Sequence, residues 1–136
     1  MKKVITKRYR SRLNAVVKAE RLTEKIARQC NLGQGIRADL CIAVTEAVNN
    51  AVLHGNKLEP DKFVTIRFDC SDSSIRIVVT DQGNGFDLQA VADPLAPENI
   101  TKPNGRGLLI LESLMDEVKV RPSSQGTRVE MVLTKR

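Results

Sequence analysis

The sequence predicts an α+β two-layer sandwich. The order of its elements is one reason: a strand, two helices, a hairpin, a helix and a second hairpin, so that antiparallel strands alternate with grouped helices. Apolar periodicity is another, because it changes from three- and four-residue spacing in residues 39–56 to strict alternation in residues 63–70. Size is the third: 136 residues with 41% hydrophobic side chains suit one core, and residues 1–136 are read as a single domain.

Each element follows from local pattern. Lys3 to Arg10 reads as a short edge strand whose strong apolar residues are Val4 and Ile5. Ser11 is a fair N-cap for a helix from about Arg12 to Cys30. The apolar positions of that helix are Leu13, Val16, Val17, Leu22, Ile26 and Cys30, the last three at i+4 spacing. Asn31 to Gly35 contains two glycines and reads as a tight connection. Asp39 to Asn56 is the central helix, about four turns long. Its stripe is Leu40, Val44, Ala47, Val48 and Ala51, and Gly55 marks its C-terminus.

Lys57 to Lys62, with Pro60, reads as a loop. In Phe63 to Cys70, Val64, Ile66 and Phe68 alternate with Thr65, Arg67 and Asp69, the mark of a half-buried strand. Ser71 to Ser74 is a turn, and Ile75 to Thr80 returns as the hairpin partner. Residues 87–104 hold three prolines and little periodicity, a length of chain usually kept for function or mobility. Gly105-Arg106-Gly107 leads into a helix of about ten residues. Val118 to Arg121 and Thr127 to Thr134 are strands joined by Pro-Ser-Ser-Gln-Gly.

Composition excludes some function classes. Aromatic residues are 3% and Trp is absent, which removes the stacking platforms of a single-strand nucleic-acid binder. No apolar run approaches membrane-spanning length and no charged-then-apolar leader opens the chain, so a cytoplasmic protein is expected. Cys30, Cys41 and Cys70 are odd in number and lack C-x-x-C spacing, which suits buried thiols in a reduced compartment. The net charge of +6 is uneven: residues 1–28 carry ten Lys/Arg against Glu20 and Glu24, and the remainder twelve basic against fourteen acidic residues. That basic segment is either a solvated helix flank or a docking face for an acidic partner or phosphate backbone.

The chemistry-bearing residues fall into separate boxes. Glu46 and Asn50 lie four apart on the central helix and stack on one face, flanked by the small Ala43, Ala47 and Ala51. A carboxylate and an amide in such a setting can be approached closely, although a solvated helix face would look the same. Asp81, Gly83 and Gly85 form a D-x-G-x-G break directly after a strand, which alone could be a turn with Asp81 capping a loop. Gly105 and Gly107 open a helix, and Gly126-Thr127 opens the last strand. Neither a Walker A pattern nor a dinucleotide G-x-G-x-x-G is present.

In order and spacing, these boxes resemble the nucleotide-binding boxes of the GHKL ATPase superfamily. The runs Glu46 to Gly55 and Gly105 to Asp116 resemble, within it, the small anti-sigma factor serine kinases of the SpoIIAB/RsbW type. The resemblance extends from about Arg12 to Leu133. It implies the Bergerat fold, a mixed, mostly antiparallel sheet with helices on one face. It implies ATP and Mg2+ as cofactors, Asn50 as the metal ligand and Glu46 as the general base. Asp81 would accept the adenine amino hydrogen, with Gly83 and Gly85 letting the backbone approach and Thr127 supporting the base. Gly105, Arg106 and Gly107 would bind phosphate at a helix start, which could equally be a plain helix start, and residues 87–107 would form the ATP lid.

The activity implied is phosphorylation of a serine or threonine on an anti-anti-sigma STAS partner, with sequestration of a sigma factor by a homodimer. A nucleotide-holding switch without efficient kinase activity is the alternative, and no direct nucleic-acid or membrane partner is expected. His54 would make a local hydrogen bond near the helix end or touch nucleotide or partner.

Overall fold

A computed structural model of the chain describes residues 2–83 and 103–135, with side chains from residue 107 in the second stretch. Gly85 and lid residues 87–102 lie outside the described residues, as do the side chains of Gly105 and Arg106.

The first strand, β1 (Lys3–Arg10), forms one edge of the sheet. Two helices follow, α1 (Asn14–Gln29) and α2 (Gln34–Asn50), the latter continuing as a π-helical turn, Ala51–Gly55. The hairpin β2 (Phe63–Cys70) and β3 (Ser74–Thr80) comes next. Helix α3 (Pro103–Leu114) then leads to β4 (Glu117–Ser123) and β5 (Gly126–Thr134). The sheet order is β1-β2-β3-β5-β4. The mostly antiparallel sheet expected is antiparallel in every described pairing.

Alternation decides which face is buried. Val64, Ile66 and Phe68 of β2, Ile75, Ile77 and Val79 of β3, and Met131 and Leu133 of β5 share one core with Leu40, Val44, Val48 and Val52. The opposite face is charged: Thr65, Thr80, Arg128 and Arg121 fall in one cross-strand row, and Arg67, Val78, Glu130 and Lys119 in the next. The two-layer sandwich expected from the sequence is therefore present, with its helices on the apolar side.

Three local expectations need correction. Ser11 does not cap α1; the helix begins at Asn14 without a side-chain cap, and Ser11 is fully buried against Asn56. The inward face of α1 consists of Ala15, Ala19, Thr23, Ile26 and Ala27, while Leu13 and Val17 are exposed at 61% and 49%. Alanines face the core because α1 packs chiefly on α2, which presents its own Ala43 and Ala47 to the same cluster, and small residues allow two backbones to approach closely. Finally, α2 starts five residues before Asp39. The chain reverses at Asn31, whose φ of 58° is the left-handed value that Asn tolerates, whereas Gly33 is extended and Gly35 is helical.

Candidate nucleotide site

The site lies between α2, α3 and the ends of β3, β4 and β5. It is a cavity of about 150 Å3. Ala47, Asn50 and Ala51 supply one wall and Leu108 and Leu111 of α3 another. Val79, Val120 and Val129 line the sheet side, and Asp81 and Thr127 close the end. An apolar slot that ends in a buried carboxylate suits a flat heterocycle bearing a hydrogen-bond donor on its edge.

Asp81 is 5% exposed. Its Oδ1 accepts the backbone N–H groups of Gly83 and Thr127, both at 3.0 Å. Its own N–H donates to the Thr127 carbonyl at 3.0 Å, so the β3–β5 ladder runs one step past Thr80 and ends on this side chain. Burial raises its pKa, against the two N–H donors and the charge of Lys62. The surrounding backbone touches it directly: a Cβ at Gly55 would overlap the carboxylate, and one at Gly126 would overlap the Asp81 carbonyl. Gly126 also has φ +141°, which side-chain-bearing residues rarely adopt.

Glu46 and Asn50 sit one turn apart on α2, both half-buried, with buried Ala43 and Ala47 beside them. Gly107 of α3 lies directly over this pair. A Cβ there would come within 2.9 Å of Glu46 Oε1 and would overlap the Asn50 amide. Pro103 begins α3, a position where its missing N–H costs nothing. The helix thus starts two residues before Gly105, and the Gly-Arg-Gly run occupies its opening turns. The structure brings Asn50, Asp81 and Thr127 to the cavity wall, with Gly107 against the Asn50 and Glu46 side chains and Gly83 hydrogen-bonded to Asp81. His54 is half-buried in the π turn.

Oxygen donors fit a magnesium ion only in part. Among the described residues no cluster of three His, Cys, Asp or Glu side chains could hold a metal alone. Asn50 and Glu46 offer hard oxygen atoms beside a glycine-lined approach, the arrangement expected where a ligand's phosphates complete the metal shell.

Sequence reasoning missed Asn56 and the role of Gly55. Asn56 is fully buried, and it donates to Ser11 Oγ and Phe63 O while accepting from Gln82 N. No periodicity could reveal it, because it follows a π-helical turn that shifts the helical phase.

This combination of fold and pocket defines a class. The profile of the histidine kinase-like ATPase domain matches residues 9–133, and the chain belongs to that family. Among named relatives, it is similar to the serine-protein kinase RsbW of Staphylococcus epidermidis, at 42% identity over 101 residues, 69% of this chain and 63% of that protein. It is also similar to the serine-protein kinase RsbW of Bacillus subtilis (strain 168), at 37% identity over 99 residues, 68% of this chain and 61% of that protein. The chain thus matches somewhat under two thirds of these relatives' length. A crystal structure of the RsbU and RsbW domains of a Mycobacterium tuberculosis protein has the same fold, with TM-score 0.74 and 18% identity over 98% of this chain and 33% of that one. No described helix is long and apolar enough to cross a membrane.

Proposed function

We propose that the protein is an ATP-dependent serine/threonine protein kinase that also acts as an anti-sigma factor. The observation that supports this best is the pairing of Glu46 and Asn50, one turn apart on α2, at a cavity that ends in buried Asp81. The similarity to RsbW serine-protein kinases supports the substrate class. On this reading the adenine amino group donates to Asp81, which selects adenine over guanine because guanine presents a carbonyl there. Thr127 supports the base through its hydroxyl, while Gly83 and Gly85 keep the neighbouring backbone close.

Asn50 would hold Mg2+ through its amide oxygen. The ion, when bound, neutralises charge on the phosphates. Glu46 accepts the proton of the attacking hydroxyl. Gly105, Arg106 and Gly107 lie in the opening turns of α3, where the positive end of the helix dipole favours phosphate, and the Arg106 charge adds to this. Residues 87–107 act as the lid.

The phosphate acceptor is a serine or threonine on an anti-anti-sigma STAS partner, and the protein sequesters a sigma factor as a homodimer. These partners entail a cytoplasmic location. The basic N-terminal segment, together with exposed Leu13 and Val17, offers a mixed charged and apolar surface for an acidic protein.

The test mixes purified protein, labelled Mg-ATP and the STAS partner. Phosphate should appear on the partner. Glu46→Gln should lower transfer by at least about 100-fold, the weight of a general base, and leave ATP affinity within about twofold. Normal transfer by Glu46→Gln would remove Glu46 from the role. Tight partner binding without transfer by the unaltered protein would favour a nucleotide switch over a kinase.

A further inference from the structure

Asn56 uses its whole side chain inside the protein. Its Nδ2 donates to Ser11 Oγ and, at 3.0 Å, to the Phe63 carbonyl. Its Oδ1 accepts the Gln82 backbone N–H at 2.7 Å. Both amide hydrogens and the carbonyl oxygen are engaged, at a residue with 0% exposure. The three partners come from the β1–α1 junction, the start of β2 and the loop after β3. The Gln82 side chain closes the ring, because its Oε1 accepts the Phe63 N–H at 2.7 Å.

Next to this junction, nothing separates the π turn from the Asp81 loop. A Cβ at Gly83 would overlap the Gly55 carbonyl, and a Cβ at Gly55 would overlap the Asp81 carboxylate. Gln82 N–H belongs to the peptide that joins Asp81 to Gln82. The hydrogen bond from that N–H to Asn56 Oδ1 therefore fixes the peptide plane through which Asp81 continues into Gly83. Asp81 has its Oδ1 bound to Gly83 N and Thr127 N, so the direction of its carboxylate depends on where Gly83 stands.

We propose that Asn56 is the positioning residue for Asp81: it holds the Asp81–Gly83 segment against the π turn and so sets the aim of the base-recognising carboxylate. This rests on the reading of Asp81 as the group that selects adenine. A residue serving stability alone would change the melting temperature and leave the choice between nucleotides untouched. A positioning residue changes that choice.

The experiment compares ATP and GTP affinity by titration calorimetry, with melting temperatures, for the full chain and for Asn56→Ala, Ser11→Ala and Asp81→Asn. Asn56→Ala should weaken ATP binding about tenfold, the equivalent of one buried hydrogen bond, and narrow the ATP-over-GTP preference. Ser11→Ala removes a partner of Nδ2 and leaves the Gln82 contact, so it should lower the melting temperature without changing the preference. If Asn56→Ala loses only melting temperature, the positioning role is overturned.

Should Asn56→Ala fail to fold, amide exchange on the unaltered protein decides. Saturating ATP should slow exchange at Gln82 N–H, whereas GTP at the same concentration should not. Equal exchange under both overturns the proposal. Asp81→Asn separates the two levels. Loss of ATP binding there alongside normal binding by Asn56→Ala sinks only the present inference; normal ATP binding by both sinks the reading of Asp81 itself.

Discussion

Asp81 is a carboxyl group kept where water barely reaches, and the fold gains little from its charge. Two backbone N–H groups bind its Oδ1, yet burial still raises its pKa. A buried group that is costly to ionise is one whose environment suits a role in binding. Asp81→Asn keeps the Oδ1 acceptor and removes the desolvated charge. The substituted protein should melt no lower than the original at neutral pH, while ATP affinity falls by about 10- to 100-fold, the worth of a hydrogen bond to a charged acceptor. Calorimetry and a thermal melt on one sample check both halves; a large fall in melting temperature would mean that the carboxylate supports the fold instead. Asp81 was legible in the sequence because a carboxylate, then glycines, directly after a strand is a local signal. Asn56 was not, since its three side-chain partners are distant in sequence.

At the level of elements, strands were easier to read than helix faces. The alternation in β2 is carried by Val64, Ile66 and Phe68, and its bounds match the expectation, Phe63–Cys70. In and just before α1, the large apolar residues Val17 and Leu13 mask Ala15, Ala19 and Ala27, which pack against the core. Side-chain size marks a core-facing helix only when its neighbour is distant, and α1 and α2 are close. The strand order was not legible either, because the connection through α3 carries the chain past one strand position to β4, and the hairpin return then places β5 between β3 and β4, which local pattern does not encode.

Close packing of elements also separates two kinds of glycine. At Gly83 an added Cβ would strike the Gly55 backbone, which cannot step aside. At Gly107 it would strike the ends of the Asn50 and Glu46 side chains, which can rotate. Gly83→Ala should therefore cost about 1–3 kcal/mol of stability, in the range of overpacked sites. Gly107→Ala should leave the melting temperature nearly unchanged and lower phosphate transfer by at least about tenfold, by displacing the pair proposed to handle metal and proton. Denaturant melts and transfer assays on the two variants check this contrast; equal loss of stability in both would refute it.

Across the whole molecule, two carboxyl groups on one sheet respond to acid in opposite directions. Glu130 lies on the charged face with Arg76, Arg121 and Arg128 at 3.2, 3.4 and 3.1 Å. Burial opposes its ionisation, but the Arg76 hydrogen bond and the charges of the three arginines outweigh burial and hold its pKa below the usual glutamate range. The folded state then binds fewer protons there than the unfolded chain. Its contribution is present above the unfolded pKa and is lost as pH falls through the folded one. Asp81 has a raised pKa, so the folded state binds more protons there. Its ionisation costs stability, a cost that disappears as pH falls through the raised value.

The arginines are about half exposed, so Glu130→Gln should lower stability by about 1 kcal/mol or less, a shift of about 2–4 °C. That deficit should vanish at a pH below the folded Glu130 pKa. If Asp81 is the adenine acceptor proposed above, ATP affinity should begin to fall at a pH above the ordinary aspartate value, because a protonated Asp81 would no longer accept with a full charge. Melts of the unaltered protein and Glu130→Gln across the acid range, with ATP titrations alongside, separate the two groups. If the Glu130→Gln deficit persists at low pH, packing rather than charge holds that face of the sheet together.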